Sequence, residues 1–161
     1  MISQTSEYAL RAALFLAARP DSSPASATEI SEAVRVPVGY LQKILRMLAR
    51  NGLLTAQRGT HGGFALAKVP TAISLLEVLN ASETEIQRIT KCPLGIEGHT
   101  RLCPLHRLLD GEMARAERTF ASTSLADLLD GEGGVRPLCD DTGRLPMAVS
   151  IRRAGDPDTR E

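Results

Sequence analysis

Tryptophan is absent from this 161-residue chain, and two tyrosines and three phenylalanines are its whole aromatic content. That leaves little material for a stacking platform of the kind that grips single-stranded nucleic acid. No stretch approaches the roughly 20 apolar residues of a membrane span. The opening M-I-S-Q-T-S-E has no charged segment leading into a long apolar one, so a cytoplasmic protein without a membrane partner is expected. Three cysteines, an odd number, do not make a secreted disulfide framework, and metal binding or thiolate chemistry is the better expectation. Net charge is missing too, because 19 basic and 19 acidic side chains cancel. What remains, 43% apolar residues, is enough for a core in one domain or one domain plus an appendage.

Against that even balance one window of 34 residues stands out. From Arg35 to Lys68 the chain carries Arg35, Lys43, Arg46, Arg50, Arg58 and Lys68 and not one Asp or Glu. Pro37 is pre-set for a first helical turn, Leu41, Ile44, Leu45 and Leu48 recur at helical spacing, and Gly52 supplies a left-handed stop after Asn51. The opposite face of this helix presents Tyr40, Gln42, Lys43 and Arg46. Two short alternating runs follow, Leu54 to Gln57 and a second with Phe64 and Leu66 on one side, about the turn Gly59-Thr60-His61-Gly62-Gly63. They predict a hairpin. A basic helix followed by a basic ribbon suits a DNA duplex: Gln42 for a bidentate contact to adenine, Lys43 or Arg46 for guanine or phosphate, and Tyr40, Arg58, Thr60 and His61 for the backbone.

The flanks fit the same plan. An alanine-rich apolar helix is expected from Ser6 to Arg19, then a polar break over Pro20 to Pro24. Ser26 and Glu29 have the spacing of a capping box before a short helix through Val34, which would pack Ile30, Ala33 and Val34 beneath the basic helix. Pro70 ends the second strand, and Ile73 to Leu79 suggests another short helix with Ser74 as its N-cap. Residues 81–91 are weakly patterned. Leu105, Leu108, Leu109, Met113, Ala116 and Phe120 then mark a long amphipathic helix from Cys103, whose stripe either meets its twin across a two-fold axis or packs on its own domain. A capped short helix is expected over Ser122 to Leu129, and a poorly ordered tail beyond Gly131, where Cys139 lies outside any motif.

Cys92, His99, Cys103 and His106 fall within 15 residues. Two thiolates and two imidazoles suit a tetrahedral zinc ion, or a two-iron cluster in which His replaces Cys on one iron. Gly95 and Gly98 would let the intervening loop fold back. Ordinary thiols in a site that has lost its chemistry are the alternative. No catalytic residue is assigned: the three histidines have no nucleophile arranged around them, no phosphate-cradling glycine motif is present, and Gly62-Gly63 is accounted for as turn chemistry.

Taken in order, S-E-Y-A-L-R-A-A-L-F-L-A, Y-L-Q-K-I-L-R-M-L-A-R-N-G-L-L, R-G-T-H-G-G-F-A-L-A, C-P-L-G, C-P-L-H and T-S-L-A-D-L resemble the Rrf-type bacterial transcription regulators, the IscR, NsrR and RirA family of winged-helix, often iron-sulfur-containing, regulators. The resemblance covers roughly residues 1 to 130. It implies a homodimer joined through the long C-terminal helix, with an iron-sulfur cluster held by three cysteines in the loop before it. This chain departs from the pattern, because Cys92 and Cys103 match the two outer ligands while His99 stands seven positions after the first, where a cysteine is usual. Some relatives add an acidic ligand from the first helix of the partner subunit, and Glu7 stands at the matching position; a solvated or capping role in the first helical turn is the alternative.

The expected fold is mainly α with a small β-hairpin wing: a winged helix-turn-helix over 1–80, a linker and cysteine-containing sensor loop over 81–102, a dimerisation helix and short following helix over 103–130, and the tail over 131–161. The expected function is that of a homodimeric transcription regulator, a repressor in the first instance, on a pseudo-palindromic operator of double-stranded DNA. Its affinity would be set by an iron-sulfur cluster or by a redox, nitric oxide or iron signal at Cys92 and Cys103, with zinc the alternative metal. The rival readings are a cluster-free winged-helix regulator that answers to a protein partner or small molecule, and a protein-interaction module with vestigial DNA binding.

Overall fold

The computed structural model describes residues 2–19, 23–59, 62–82, 84–93 and 101–130. Helix α1 runs Gln4–Ala17, two residues earlier than its apolar pattern suggests, because the Ser3 side chain accepts the Ser6 backbone N–H and caps the first turn. Ala9, Ala12, Ala13, Leu14, Phe15 and Leu16 are buried on more than one face of α1. It is therefore the axle of the core, touching every other helix that packs into the domain except the long one.

Helices α2 (Ala27–Val34) and α3 (Val38–Arg50) form the helix-turn-helix pair. Ser26 accepts the Glu29 N–H, but the reciprocal half of the expected capping box is not made, since the Glu29 carboxylate turns instead to Arg19. The turn between the helices depends on Arg35, whose φ of 53° is left-handed and sends its N–H back to Ser31 O. Pro37 serves as the N-cap of α3, one position before the first helical residue. Leu41, Ile44, Leu45 and Leu48 are buried as their spacing predicts, and each contributes roughly 1.5–3 kcal/mol of apolar burial. Gly52, at φ 74°, then turns the chain away from the helix.

Strands β1 (Leu54–Gln57) and β2 (Gly63–Leu66) pair antiparallel, Leu54 with Leu66 and Ala56 with Phe64. The predicted faces are thus in register, yet burial follows them only in part. Ala56 is exposed because the hairpin projects past the core, whereas Ala65, on the other face, is buried beside Leu16 and Ala17. Residue Ala25, just before α2, adds a third strand-like bridge: Ala25 N donates to Phe64 O at 2.9 Å and Phe64 N to Ala25 O at 2.8 Å. A Cβ at Gly63 would collide with the Ala25 carbonyl, so this glycine is required for close backbone approach and not only for the turn.

A short 3-10 turn, Pro70–Ala72, leads to α4 (Leu75–Ala81), whose Ser74 and Glu77 make a complete capping box. Helix α5 (Pro104–Ser122) starts with Cys103 as N-cap and Pro104 in the first turn. Helix α6 (Leu125–Leu129) is capped by Ser124 and Asp127 in the same reciprocal way. The two caps meet back to back, with Leu75 N donating to Thr123 O and Leu125 N to Ile73 O, both at 2.9 Å. Leu125 is fully buried in the main core, so α5 is anchored to the winged helix at its C-terminal end. The tail over 131–161, including Cys139, lies outside the described residues, as does most of the predicted loop that carries Gly95 and Gly98.

Candidate nucleic-acid interface and cysteine cluster

The basic side chains of the window are exposed. Tyr40, Lys43 and Arg46 are exposed on α3, Arg35 is exposed at the turn before it, Arg50 at its end, and Arg58 at the end of β1, while Gln42 is half-buried. Among the described residues, Arg35, Lys43, Arg46, Arg50 and Arg58 form no ion pair. The sixth cation behaves differently: Lys68 Nζ lies 3.0 Å from Glu77 Oε1 and is compensated within the chain. Thr60 and His61, at the tip of the hairpin, lie outside the described residues.

Tyr40 has a partner that sequence spacing did not reveal. Its hydroxyl lies 2.6 Å from Thr5 Oγ1, and its ring meets Tyr8 edge to face with centroids 6.0 Å apart. The start of α3 is therefore tied to the first turns of α1. Close by, Glu7 pairs with Arg11, which also donates to Val34 O at the end of α2 and lies over the Tyr8 ring.

The cysteine segment converges on one imidazole. Cys103 Sγ stands 3.3 Å and Cys92 Sγ 3.9 Å from His106 Nδ1, all three side chains being half-buried. His106, three residues after Cys103, shares its helix face. Among the described residues no group of three or more His, Cys, Asp or Glu is arranged to hold a metal ion. As a donor set, two sulfurs and one imidazole nitrogen still suit zinc or an iron-sulfur centre, with a fourth ligand to be supplied. His99 lies outside the described residues.

The chain just before Cys92 is tied to α5 by residues that no pattern had marked. Arg88 spans from the weakly patterned stretch to α5, with Nε 2.7 Å from Asp110 Oδ1, Nη2 2.8 Å from Asp110 Oδ2 and Nη1 3.2 Å from Glu117. The Ile89 N–H adds a bond to Asp110 Oδ1 at 2.9 Å. The Arg88 guanidinium draws the Asp110 carboxyl down to about 2 from its ordinary 3.8. A lone Arg and a lone Asp 22 positions apart carry no local signal.

The Rrf2 profile, described as an iron-dependent transcriptional regulator, matches residues 2–131. The chain belongs to the Rrf2 family. It is 43% identical over 82 residues to a helix-turn-helix-type transcriptional regulator of Synechocystis, a match spanning 51% of this chain and 56% of that protein. A second regulator of that type, from Azotobacter vinelandii, is 32% identical over 124 residues, covering 76% and 74% respectively. Among solved structures, CymR, the global cysteine regulator of B. subtilis, superposes with a TM-score of 0.67 at 26% identity, over 80% of this chain and 95% of that one. The family is one of transcription regulators and not of enzymes. Its winged-helix fold accounts for the helix pair and two-stranded hairpin seen here.

Proposed function

We propose that this Rrf2 protein works in the cytoplasm as a homodimer on double-stranded DNA, placing one α3 in each of two successive major grooves of a pseudo-palindromic operator and its hairpins along the flanking minor grooves. The observation that carries this reading is the set of five exposed cations, without an ion pair among the described residues, on α3, the turn before it and the hairpin of a chain with no net charge. Gln42 and Lys43 or Arg46 read base edges, and Tyr40, Arg58, Thr60 and His61 hold the backbone. Support for the dimer comes from α5, where Leu105, Leu108, Leu109 and Met113 are all exposed large apolar side chains along one stretch.

Operator affinity is set at Cys92 and Cys103 together with His106, with His99 of the same chain and Glu7 of the partner subunit as further ligands. An iron-sulfur cluster, when bound, supplies a centre that reacts with oxidants and nitric oxide; zinc is the alternative for the same donors. Cys92 and Cys103 would hold either group through sulfur and His106 through nitrogen. The signal acts only so far as it favours one of two arrangements of α5 relative to α3.

The test joins a spectrum to a binding curve. Anaerobically purified protein is expected to be coloured and to contain iron, and to shift a duplex selected from a random pool far more strongly than bulk random duplex. Colourless protein without iron, with operator affinity unmoved by Cys92→Ala under oxidant or nitric oxide, would overturn the sensor half. Leu108→Asp is expected to give monomers in sedimentation, and an unchanged dimer would overturn the assembly.

A further inference from the structure

We infer that Arg88 is a positioning residue that clips the chain before the first cysteine onto α5 and so sets Cys92 against Cys103 and His106. This rests on the reading of those three side chains as the sensor ligands, but the geometry behind it is independent of any bound group. Residues 86–92 run antiparallel to α5: Ile86 and Gln87 lie by Met113, Ala116 and Phe120, Arg88 by Asp110 and Glu117, and Cys92 by His106. The helix residues concerned, 106, 110 and 117, are spaced by four and seven, which puts them on one face, with Cys103 at the N-cap before them.

Two anchors hold this stretch, and they differ in kind. At its start Thr84 and Ser82 join the Ser6 hydroxyl beneath α1, and Thr84 N donates to Leu79 O at 3.1 Å. At its middle the only polar ties to α5 among the described residues are those of Arg88 and of Ile89 N–H, all converging on Asp110 and Glu117. Past Ile89 three extended residues span up to about 10 Å, whereas the helix rises only about 6 Å from His106 to Asp110. The chain therefore has slack to carry Cys92 away from His106 unless its register is set just before it. A planar guanidinium that engages one carboxylate in two-point fashion and a second carboxylate two turns on sets such a register, and an ammonium does so less well.

The experiment uses the full chain with Cys139→Ser, freed of any bound metal by a chelator and kept reduced, leaving Cys92 and Cys103 as the two thiols, and dibromobimane, which becomes fluorescent when it bridges two of them. The parent is expected to bridge readily. Arg88→Ala should slow bridging roughly fivefold or more, the loss of effective concentration expected when one thiol is freed to roam. Arg88→Lys should be intermediate, and Arg88→Glu combined with Asp110→Arg should regain part of the rate. Arg88 is exposed, so its loss is expected to lower the melting temperature only by the small contribution of a surface ion pair and to leave far-ultraviolet circular dichroism at the parent value, which separates misplacement from unfolding. A rate in Arg88→Ala equal to the parent's, or a parent that does not bridge, overturns the clip. Iron analysis of the native chain keeps the two ideas apart: iron present with an unaffected bridging rate sinks the clip alone, and slowed bridging in a protein that never holds iron sinks the ligand assignment alone.

Discussion

The Tyr40 hydroxyl and the Thr5 hydroxyl lie 2.6 Å apart, joining the exposed start of α3 to the first turns of α1. The contact is at the surface, so a net value near 0.5–1 kcal/mol is expected for it. Tyr40→Phe and Thr5→Ala should each lower stability by about that amount in urea unfolding, and the double variant should lose little more than either single one. Additive losses would show that the two hydroxyls do not act as a pair. Because Tyr40→Phe keeps the ring against Tyr8, DNA affinity should fall less than in Arg46→Ala.

Charge exposure sorts the six basic residues of the window into two groups. Arg46→Ala and Arg58→Ala should each reduce the slope of log affinity against log salt by roughly 0.9, the value of one phosphate contact. Lys68 already has Glu77 beside it, so Lys68→Ala should leave the slope nearly unchanged. Anisotropy titrations over a series of salt concentrations decide this, and equal slopes for all three variants would remove α3 and the hairpin from the interface.

Gly63→Ala forces a methyl group into the Ala25 carbonyl and must open the two-hydrogen-bond bridge between Ala25 and Phe64. A loss of about 2 kcal/mol is expected in thermal or urea unfolding. Gly39→Ala, where a Cβ meets nothing within 4 Å, should be tolerated in the same assay. Equal stability for the two variants would show that the bridge to Ala25 is not formed.

The Asp110 carboxyl, lowered to about 2 by Arg88, gives the clip a pH signature. A depressed carboxyl contributes its stabilisation fully above the unfolded value of 3.8 and loses it as pH falls through about 2, so the clip is closed throughout the neutral range. Carbon-detected NMR titration of Asp110 should give a midpoint near 2 in the parent and one moved up toward 3.8 in Arg88→Ala. An ordinary midpoint in both would mean that the guanidinium does not reside on this carboxylate in solution.

Much of the fold was legible before any coordinates, and for a simple reason. Helical spacing at Leu41, Ile44, Leu45 and Leu48, the Ser74 cap and the glycine after Asn51 are local signals, each set by a residue and its neighbours within one or two turns. The clustering of cations without acids was equally local, and with the family motifs it pointed to a winged helix. Burial on the hairpin was less legible, because Ala56 and Ala65 have the same side chain and differ only in what lies over them.

What the chain determined by itself, then, was the order and type of its elements, the polarity of the basic surface and the identity of its sulfur and imidazole donors. The tertiary structure alone decided that Lys68 pairs with Glu77 while Arg46 and Arg58 meet no acid among the described residues, that Tyr40 leans on Thr5 and that Gly63 must admit Ala25. It alone decided, too, that Arg88 reaches Asp110 and that Cys92 lies beside His106. Each of those depends on partners 9 to 38 positions apart, and such pairings form only when the packed helices close the intervening chain.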